Sequence, residues 1–224
     1  MTSIRASAVV FVLALAFGTP AYAGPINTVG GTAGTIPSGA SNDFVPGLFP
    51  GPMIGGYFGG QIEVDVAPSM LLIEYFGAEA GYHNEFYYDS TEIFDHASGT
   101  EISWNLSTPL AKYTTVVTGT GYLPFEFRVN NNTALVTNGA NPDGSQPTVG
   151  ANFFASCDPF GTSAGSGGTS CSSIYLFLDD GGAGPDDNHD DFLVRLSITA
   201  VPEPGTLGLL ALGVIGLVGR RLRR

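Results

Sequence analysis

The sequence predicts an all-β body, an antiparallel β-sandwich or jelly roll, between two short apolar terminal segments. Three observations support this fold class. Charged residues make up only 12% of the 224 residues, and 32 Gly and 15 Pro interrupt the chain, which disfavours long amphipathic helices. Several runs alternate apolar and polar residues with the period of two that is typical of half-buried strands. Turn signals such as Asn138-Gly139 separate these runs, as expected for many short antiparallel strands.

Residues 1–23 have the features of a secretory signal peptide, with a short signal helix. Arg5 precedes a ten-residue apolar run at residues 8–17, and Ala21-Tyr22-Ala23 offers the small residues that signal peptidase accepts. Ten residues of helix span only about 15 Å, about half of the hydrocarbon core of a bilayer, which argues against a permanent anchor. We therefore predict cleavage after Ala23 and export of the body.

Two segments make up the predicted body. Residues 24–52 are rich in Gly, Pro, Ser and Thr, a composition typical of an extended arm or irregular strands. Residues 53–200 form the predicted sandwich, and its last two strands are expected to be antiparallel neighbours. The predicted strands cover residues 61–66, 70–76, 85–88, 112–118, 125–130, 152–155, 174–178 and 194–199.

Cys157 and Cys171 are the only cysteines of the chain. Export places them in an oxidising compartment, which favours a disulfide over two free thiols. The bridge would close a loop of about fifteen residues, for which chain entropy predicts a stabilisation of about 3 kcal/mol. Inside this loop, residues 161–165 match the Gly-x-Ser-x-Gly pattern of hydrolases around Ser163. The flanking Gly and Ser residues do not provide the strand and the helix that such a nucleophile needs.

The connection between the last two predicted strands, residues 179–191, contains six Asp. In a compact loop these carboxylates would repel one another, and a divalent cation would relieve the repulsion. Ca²⁺ takes six to eight oxygen ligands in flexible geometry, whereas His189 without a thiolate is a poor zinc site. The spacing does not fit an EF-hand, and a solvated hairpin tip is the alternative. The candidate Ca²⁺ ligands are Asp179, Asp180, Asp186, Asp187, Asn188, Asp190 and Asp191.

Residues 201–224 combine three ordered elements. Pro202-Glu203-Pro204 precedes an apolar run at residues 207–218, and the chain ends with Arg220, Arg221, Arg223 and Arg224. This order resembles the PEP-CTERM sorting signal of Gram-negative bacteria. The resemblance implies recognition by an exosortase and cleavage near the Pro-Glu-Pro, in exported surface proteins that are common where exopolysaccharide is made.

The physical chemistry of the tail agrees with this role. Residues 205–219 would span about 22 Å as a helix, less than the roughly 30 Å of hydrocarbon, so they form a short and transient transmembrane anchor in the inner membrane. The terminal arginines favour a cytoplasmic end, which leaves the body outside. An ordinary C-terminal anchor that is never cut is the alternative.

The charge of the body excludes one class of partner and favours another. Between Gly24 and Val201 the chain has nineteen acidic and three basic side chains, and the net charge of the whole chain is −12. Such a body repels phosphate backbones, which argues against nucleic acid as a partner. Among the aromatic residues, Trp104 and Tyr88 are candidates for a sugar-stacking platform, although core packing explains most aromatic side chains equally well.

These observations predict an exported, non-enzymatic surface or extracellular-matrix protein, associated with exopolysaccharide and stabilised by Ca²⁺. The alternatives are a Ca²⁺-dependent carbohydrate-binding module and a secreted hydrolase.

Overall fold

The protein is described by a computed structural model, which covers residues 26–38, 41–146, 148–157, 170–182 and 188–201. Within these ranges no helix is long and apolar enough to cross a membrane. The predicted signal peptide and residues 202–224 lie outside the described residues. The described chain forms sixteen strands: β1 (Ile26–Val29), β2 (Thr32–Ile36), β3 (Ile54–Phe58), β4 (Gln61–Val64), β5 (Ser69–Ala80), β6 (Asn84–Tyr88), β7 (Thr91–His96), β8 (Gly99–Ile102), β9 (Ala111–Val117), β10 (Gly121–Tyr122), β11 (Phe125–Val129), β12 (Ala134–Thr137), β13 (Asn152–Ser156), β14 (Ser170–Cys171), β15 (Ser173–Asp179) and β16 (Phe192–Ala200).

The strands form three antiparallel sheets. The largest sheet has eight strands. Seven follow the order β2-β3-β13-β15-β16-β5-β8, and the eighth, β9, pairs with β5 on the same edge as β8: β8 pairs with residues 77–80 of β5, and β9 pairs with residues 69–75. The two smaller sheets have the orders β10-β4-β1-β14 and β12-β11-β6-β7. The prediction of an all-β, sandwich-like antiparallel body is therefore confirmed.

Strand β15 lies inside the large sheet and shows why the sheet is covered on both faces. Its residues 174–178 are all apolar and buried, and alternate side chains enter different cores. Leu176 belongs to a core to which all three sheets contribute, whereas Phe177 belongs to a second core on the opposite face. The pairing of β15 with β16 is antiparallel, as the sequence predicts.

Residues 41–50 cover this opposite face. The rings of Phe44 and Phe49 are fully buried, and the Phe49 ring lies 5.3 Å from that of Tyr175 and 5.6 Å from that of Phe177. Burial of each such side chain contributes about 1.5–3 kcal/mol to folding. The Gly/Pro-rich segment 24–52 thus supplies β1 and β2 to two different sheets and an apolar cover to the larger one.

A disulfide joins Cys157, which follows β13, to Cys171 in β14, with the two Cα atoms 5.7 Å apart. The predicted pairing is confirmed. Because β13 belongs to the large sheet and β14 to a small one, the bond links two sheets. Its fourteen-residue sequence separation corresponds to about 3 kcal/mol of stabilisation through chain entropy.

Candidate functional site

The edge where β15 ends and β16 begins collects the acidic side chains of the predicted loop. The Asp191 N–H donates to Leu178 O at 3.2 Å, which closes this antiparallel pair. Residues 179–180 and 190–191 therefore lie side by side at one end of the large sheet. Two predicted ligands, Asp186 and Asp187, lie outside the described residues.

Asp179 organises the turn that follows β15. Its side chain is almost fully buried, and Oδ1 accepts hydrogen bonds from the backbone N–H groups of Gly181 (3.0 Å) and Gly182 (2.6 Å). Its Oδ2 lies 3.9 Å from Nδ1 of His189, whose ring is buried against Phe58. The geometry gives Asp179 a clear structural role in shaping the loop.

Asp180 and Asp191 meet a buried amide from another sheet. The Asp180 N–H donates to Asp191 Oδ2 at 2.7 Å, and Asn84 Nδ2 in β6 donates to Asp180 Oδ2 at 2.7 Å. Asn84 is fully buried, and within the described part of the chain its Oδ1 has no hydrogen-bond partner. Burial, followed by the charge of Asp180, raises the pKa of Asp191 to about 9. The carboxyl pair thus meets a buried amide that contacts it through its nitrogen.

A second cluster brings together Asp43, Glu79 and Asp190, whose carboxylate oxygens lie within 4.8 Å of one another. The Asp43 N–H donates to Asp190 Oδ2 at 2.8 Å, and the Glu79 N–H donates to the Asp190 carbonyl at 2.9 Å. Burial is the largest cause that raises the pKa of Asp190 to about 8, and the carboxylates of Glu79 and Asp43 add to it. Sequence reasoning found Asp190 but missed its two partners.

The side-chain amides of Asn42 and Asn188 connect the segment before β16 to residues 41–50. Asn42 Nδ2 donates to the carbonyls of Asn188 (2.7 Å) and His189 (3.0 Å), and Asn188 Nδ2 donates to Ser41 O at 3.3 Å. Both amides are buried. Asn188, a predicted ligand, therefore donates its side-chain N–H to residues 41–50. These hydrogen bonds hold the two segments together and place Asp43 next to Asp190.

The three basic side chains of the body are engaged elsewhere. Arg195 and Lys112 both contact Glu74, and Arg128 contacts Glu126. The five carboxylates of the two clusters, together with the orphaned Asn84 oxygen, are hard oxygen donors of the kind that Ca²⁺ prefers. We refer to the two clusters together as the acidic end; its members are Asp43, Glu79, Asn84, Asp180, Asp190 and Asp191.

A separate surface group contains His83, Glu85 and Asp95, with candidate ligand atoms within 4.8 Å of one another. His83 contacts Asp95 through Nε2 and Asn131 through Nδ1. The hydrogen bond to Asp95 is the largest cause that raises the pKa of His83. A histidine–carboxylate pair explains this group without a metal.

Trp104 and Tyr88, the candidate sugar-stacking residues, have different surroundings. The Trp104 side chain is 59% exposed and packs on Gly47, where an added Cβ would lie 2.2 Å from the indole ring. Tyr88 is only 7% exposed and packs in the core, where burial raises its pKa to about 12. Tyr88 lines a cavity of about 270 Å³, and Trp104 is not part of that lining. Ser163 lies outside the described residues.

The body is an all-β domain of the sandwich-like class with an acidic end. Residues 200–224 match the family model of the PEP-CTERM protein-sorting motif. The chain therefore carries a PEP-CTERM sorting motif, as the residues of the tail predict, and the motif implies export, sorting to the bacterial cell surface and processing by an exosortase. Similarity searches find no match among curated proteins or among solved structures.

Proposed function

We propose that this protein is a non-enzymatic component of the cell surface or extracellular matrix of a Gram-negative bacterium, stabilised by Ca²⁺ at its acidic end. In this proposal an exosortase cuts the chain near Pro204, and the body stays associated with exopolysaccharide. The observation that carries the cation is the cluster of Asp43, Glu79 and Asp190, whose carboxylate oxygens lie within 4.8 Å of one another, next to the hydrogen-bonded Asp180–Asp191 pair.

Ca²⁺ suits this set of donors better than a transition metal does. Asp43, Glu79 and Asp190 would hold the ion, and Asp180 and Asp191 offer further carboxylate oxygens nearby. Both cysteines form the disulfide, so thiolate ligands play no part. A bound cation would offset the mutual repulsion of the ionised carboxylates, and burial is the largest cause that raises the pKa values of two of them, Asp190 and Asp191.

The length of β16 between Asp191 and the start of the sorting motif supports a surface role. Strand β16 starts next to Asp191 and ends at Ala200, the first residue of the matched sorting motif. Nine residues of strand span about 30 Å. Asp191 of the acidic end therefore lies about the length of β16 from Ala200, where the sorting motif begins, and in this proposal the acidic end meets extracellular Ca²⁺.

Calcium should raise the melting temperature of the purified exported protein relative to the protein in EDTA. A free Ca²⁺ concentration of about one hundred times Kd corresponds to a stabilisation of about 2.7 kcal/mol. The double variant Asp180→Asn/Glu79→Gln should lose this gain, whereas Glu101→Gln, a substitution at a 62% exposed acid, should retain it. Identical melting curves of the wild-type protein with calcium and with EDTA would contradict the cation proposal.

Retention in the matrix is tested in cells that possess an exosortase. The processed protein should fractionate with the exopolysaccharide, and it should move to the culture medium in cells that make no polymer. Recovery in the medium from polymer-producing cells would contradict retention.

Covalent labelling of Ser163 by a fluorophosphonate would contradict the non-enzymatic role and favour a secreted hydrolase instead.

A further inference from the structure

The cavity of about 270 Å³ lies where all three sheets meet. It is lined by the end of β6, by the end of β9 with the loop that follows, and by β10. Val117, at the end of β9, pairs with Ser69 of β5, and Ser69 pairs with Ala200 of β16. The cavity therefore lies two strands from Ala200, where the sorting motif begins, and its Tyr88 is four residues along β6 from Asn84 of the acidic end.

Its lining combines one exposed aromatic residue with several hydroxyl groups and one carboxylate. Tyr122 is 53% exposed and belongs to β10, an edge strand of its sheet. Val116, 51% exposed, adds an apolar surface. The polar lining includes Tyr88, Asp89, Thr115, Thr118 and Thr120. A ring face, an apolar side chain and several hydroxyl groups match a ligand with alternating C–H and O–H groups.

Charge and size narrow the class of ligand. The lining contains one carboxylate, that of Asp89, and no basic residue, so it does not favour an anion. Burial raises the pKa of Tyr88 to about 12, so its hydroxyl stays protonated and can both donate and accept. The volume is just below the roughly 300–1,000 Å³ of typical small-molecule sites, which fits one or two sugar rings.

We propose that this cavity binds a neutral saccharide, with Tyr122 as the stacking residue, and that binding requires no Ca²⁺. The inference rests on the proposed association with exopolysaccharide and names the contact that would produce it. It differs from a Ca²⁺-dependent carbohydrate-binding module, because the lining of the cavity contains no residue of the acidic end. It also assigns no role to Trp104.

The test is affinity electrophoresis of the exported protein in gels that contain neutral polysaccharides, dextran, galactomannan and hydroxyethyl cellulose, with alginate as the acidic polymer. We expect at least one neutral polymer to retard the wild-type protein, equally with calcium and with EDTA. Tyr122→Ala should weaken this binding at least tenfold, and Tyr122→Phe should preserve it. Trp104→Ala is the matched control, because it removes an equally exposed aromatic ring outside the cavity.

Several results would overturn the inference. The first is that no neutral polymer retards the wild-type protein, or that alginate alone does. The second is that a folded Tyr122→Ala variant binds as tightly as the wild type. The third is that Trp104→Ala or EDTA abolishes binding. The melting temperature of Tyr122→Ala should stay near that of the wild type, since the side chain is half exposed, and this measurement separates misfolding from loss of a contact. If the protein is retained in the matrix but binds no neutral glycan, only the cavity proposal is contradicted. If the protein binds a neutral glycan through Tyr122 but is not retained in the matrix, only the retention proposal is contradicted.

Discussion

Replacing Arg195 by leucine is expected to lower the free energy of unfolding by about 3–5 kcal/mol, because it leaves the Glu74 carboxylate buried without its main partner. Glu74 is 2% exposed. Arg195 Nε donates to Glu74 Oε2 at 2.8 Å, and Nη2 lies 2.6 Å from the same oxygen. The remaining cation, Lys112, lies 3.2 Å from Oε1, but its side chain is 53% exposed and its charge is screened by water.

Arg195 also ties several elements together. Its guanidinium donates to the Tyr175 hydroxyl (3.1 Å) and to Leu106 O (3.2 Å), and it lies 5.0 Å from the centre of the Phe76 ring. The double variant Arg195→Leu/Glu74→Leu should recover most of the lost stability, since a buried ion pair is often replaceable by apolar groups.

Urea unfolding measures these differences, and Arg128→Leu is the control. Arg128 pairs with Glu126, and about a quarter of each side chain is exposed. Such a pair contributes about 1 kcal/mol or less. Similar losses for Arg195→Leu and Arg128→Leu would show that burial of Glu74 does not govern the stability of this region.

The sequence analysis was most successful where one face of a strand is buried. Period-two alternation predicted β4, β11 and β16, and the apolar run at residues 174–178 predicted a strand inside a sheet, which is β15. It also located Asp180, Asp190 and Asp191, because strands adjacent in sequence and paired in space must bring their connected ends together. Short strands such as β8 and β14 lacked a pattern long enough to recognise.

The partners of these acids could not be predicted, since tertiary register decides them. A bulge interrupts the pairing of β16 with β5, so that Leu193 faces Gly77 while Val194 faces Tyr75. Gly77 has a φ of 127°, and an added Cβ there would lie 1.9 Å from Glu101 O, which explains why glycine occupies the bulge. This local shift determines where Glu79 lies, and no periodicity in the sequence indicates it.

Asp43 and Asn84 come from still more distant parts of the chain. Asp43 reaches Asp190 because the apolar side chains of residues 44–49 dock on the outer face of the large sheet. Asn84 reaches Asp180 because β6 belongs to the sheet that packs on the other face. A lone Asp and a lone Asn carry no spacing signal, so only the packing of the two cores reveals them.

Without a cation, the acidic end should make the protein less stable as the pH rises, and this second large effect should reverse when Ca²⁺ binds. Unfolded Asp has a pKa near 3.9, whereas burial and neighbouring carboxylates raise the pKa values of Asp190 and Asp191 to about 8 and about 9. Between these limits the native state holds protons that the unfolded state has released. Stability in EDTA should therefore fall from about pH 4 toward pH 8–9, by up to about 1.4 kcal/mol per pH unit for one such group.

The variant Asp191→Asn separates a cation site from a merely protonated carboxyl group. The amide keeps an oxygen that can accept the hydrogen bond from the Asp180 N–H, but it carries no charge. In EDTA at pH 8 the variant should melt at a higher temperature than the wild type, because it avoids ionisation beside Asp180. With calcium the order should invert, because only the wild type offers the carboxylate and gains from the ion.

Asp65→Asn, at an exposed acid away from the acidic end, should change neither curve. An Asp191→Asn variant that is less stable than the wild type in both conditions would mean that the carboxylate is ionised without a cation, and the charge argument for Ca²⁺ at this site would then be wrong.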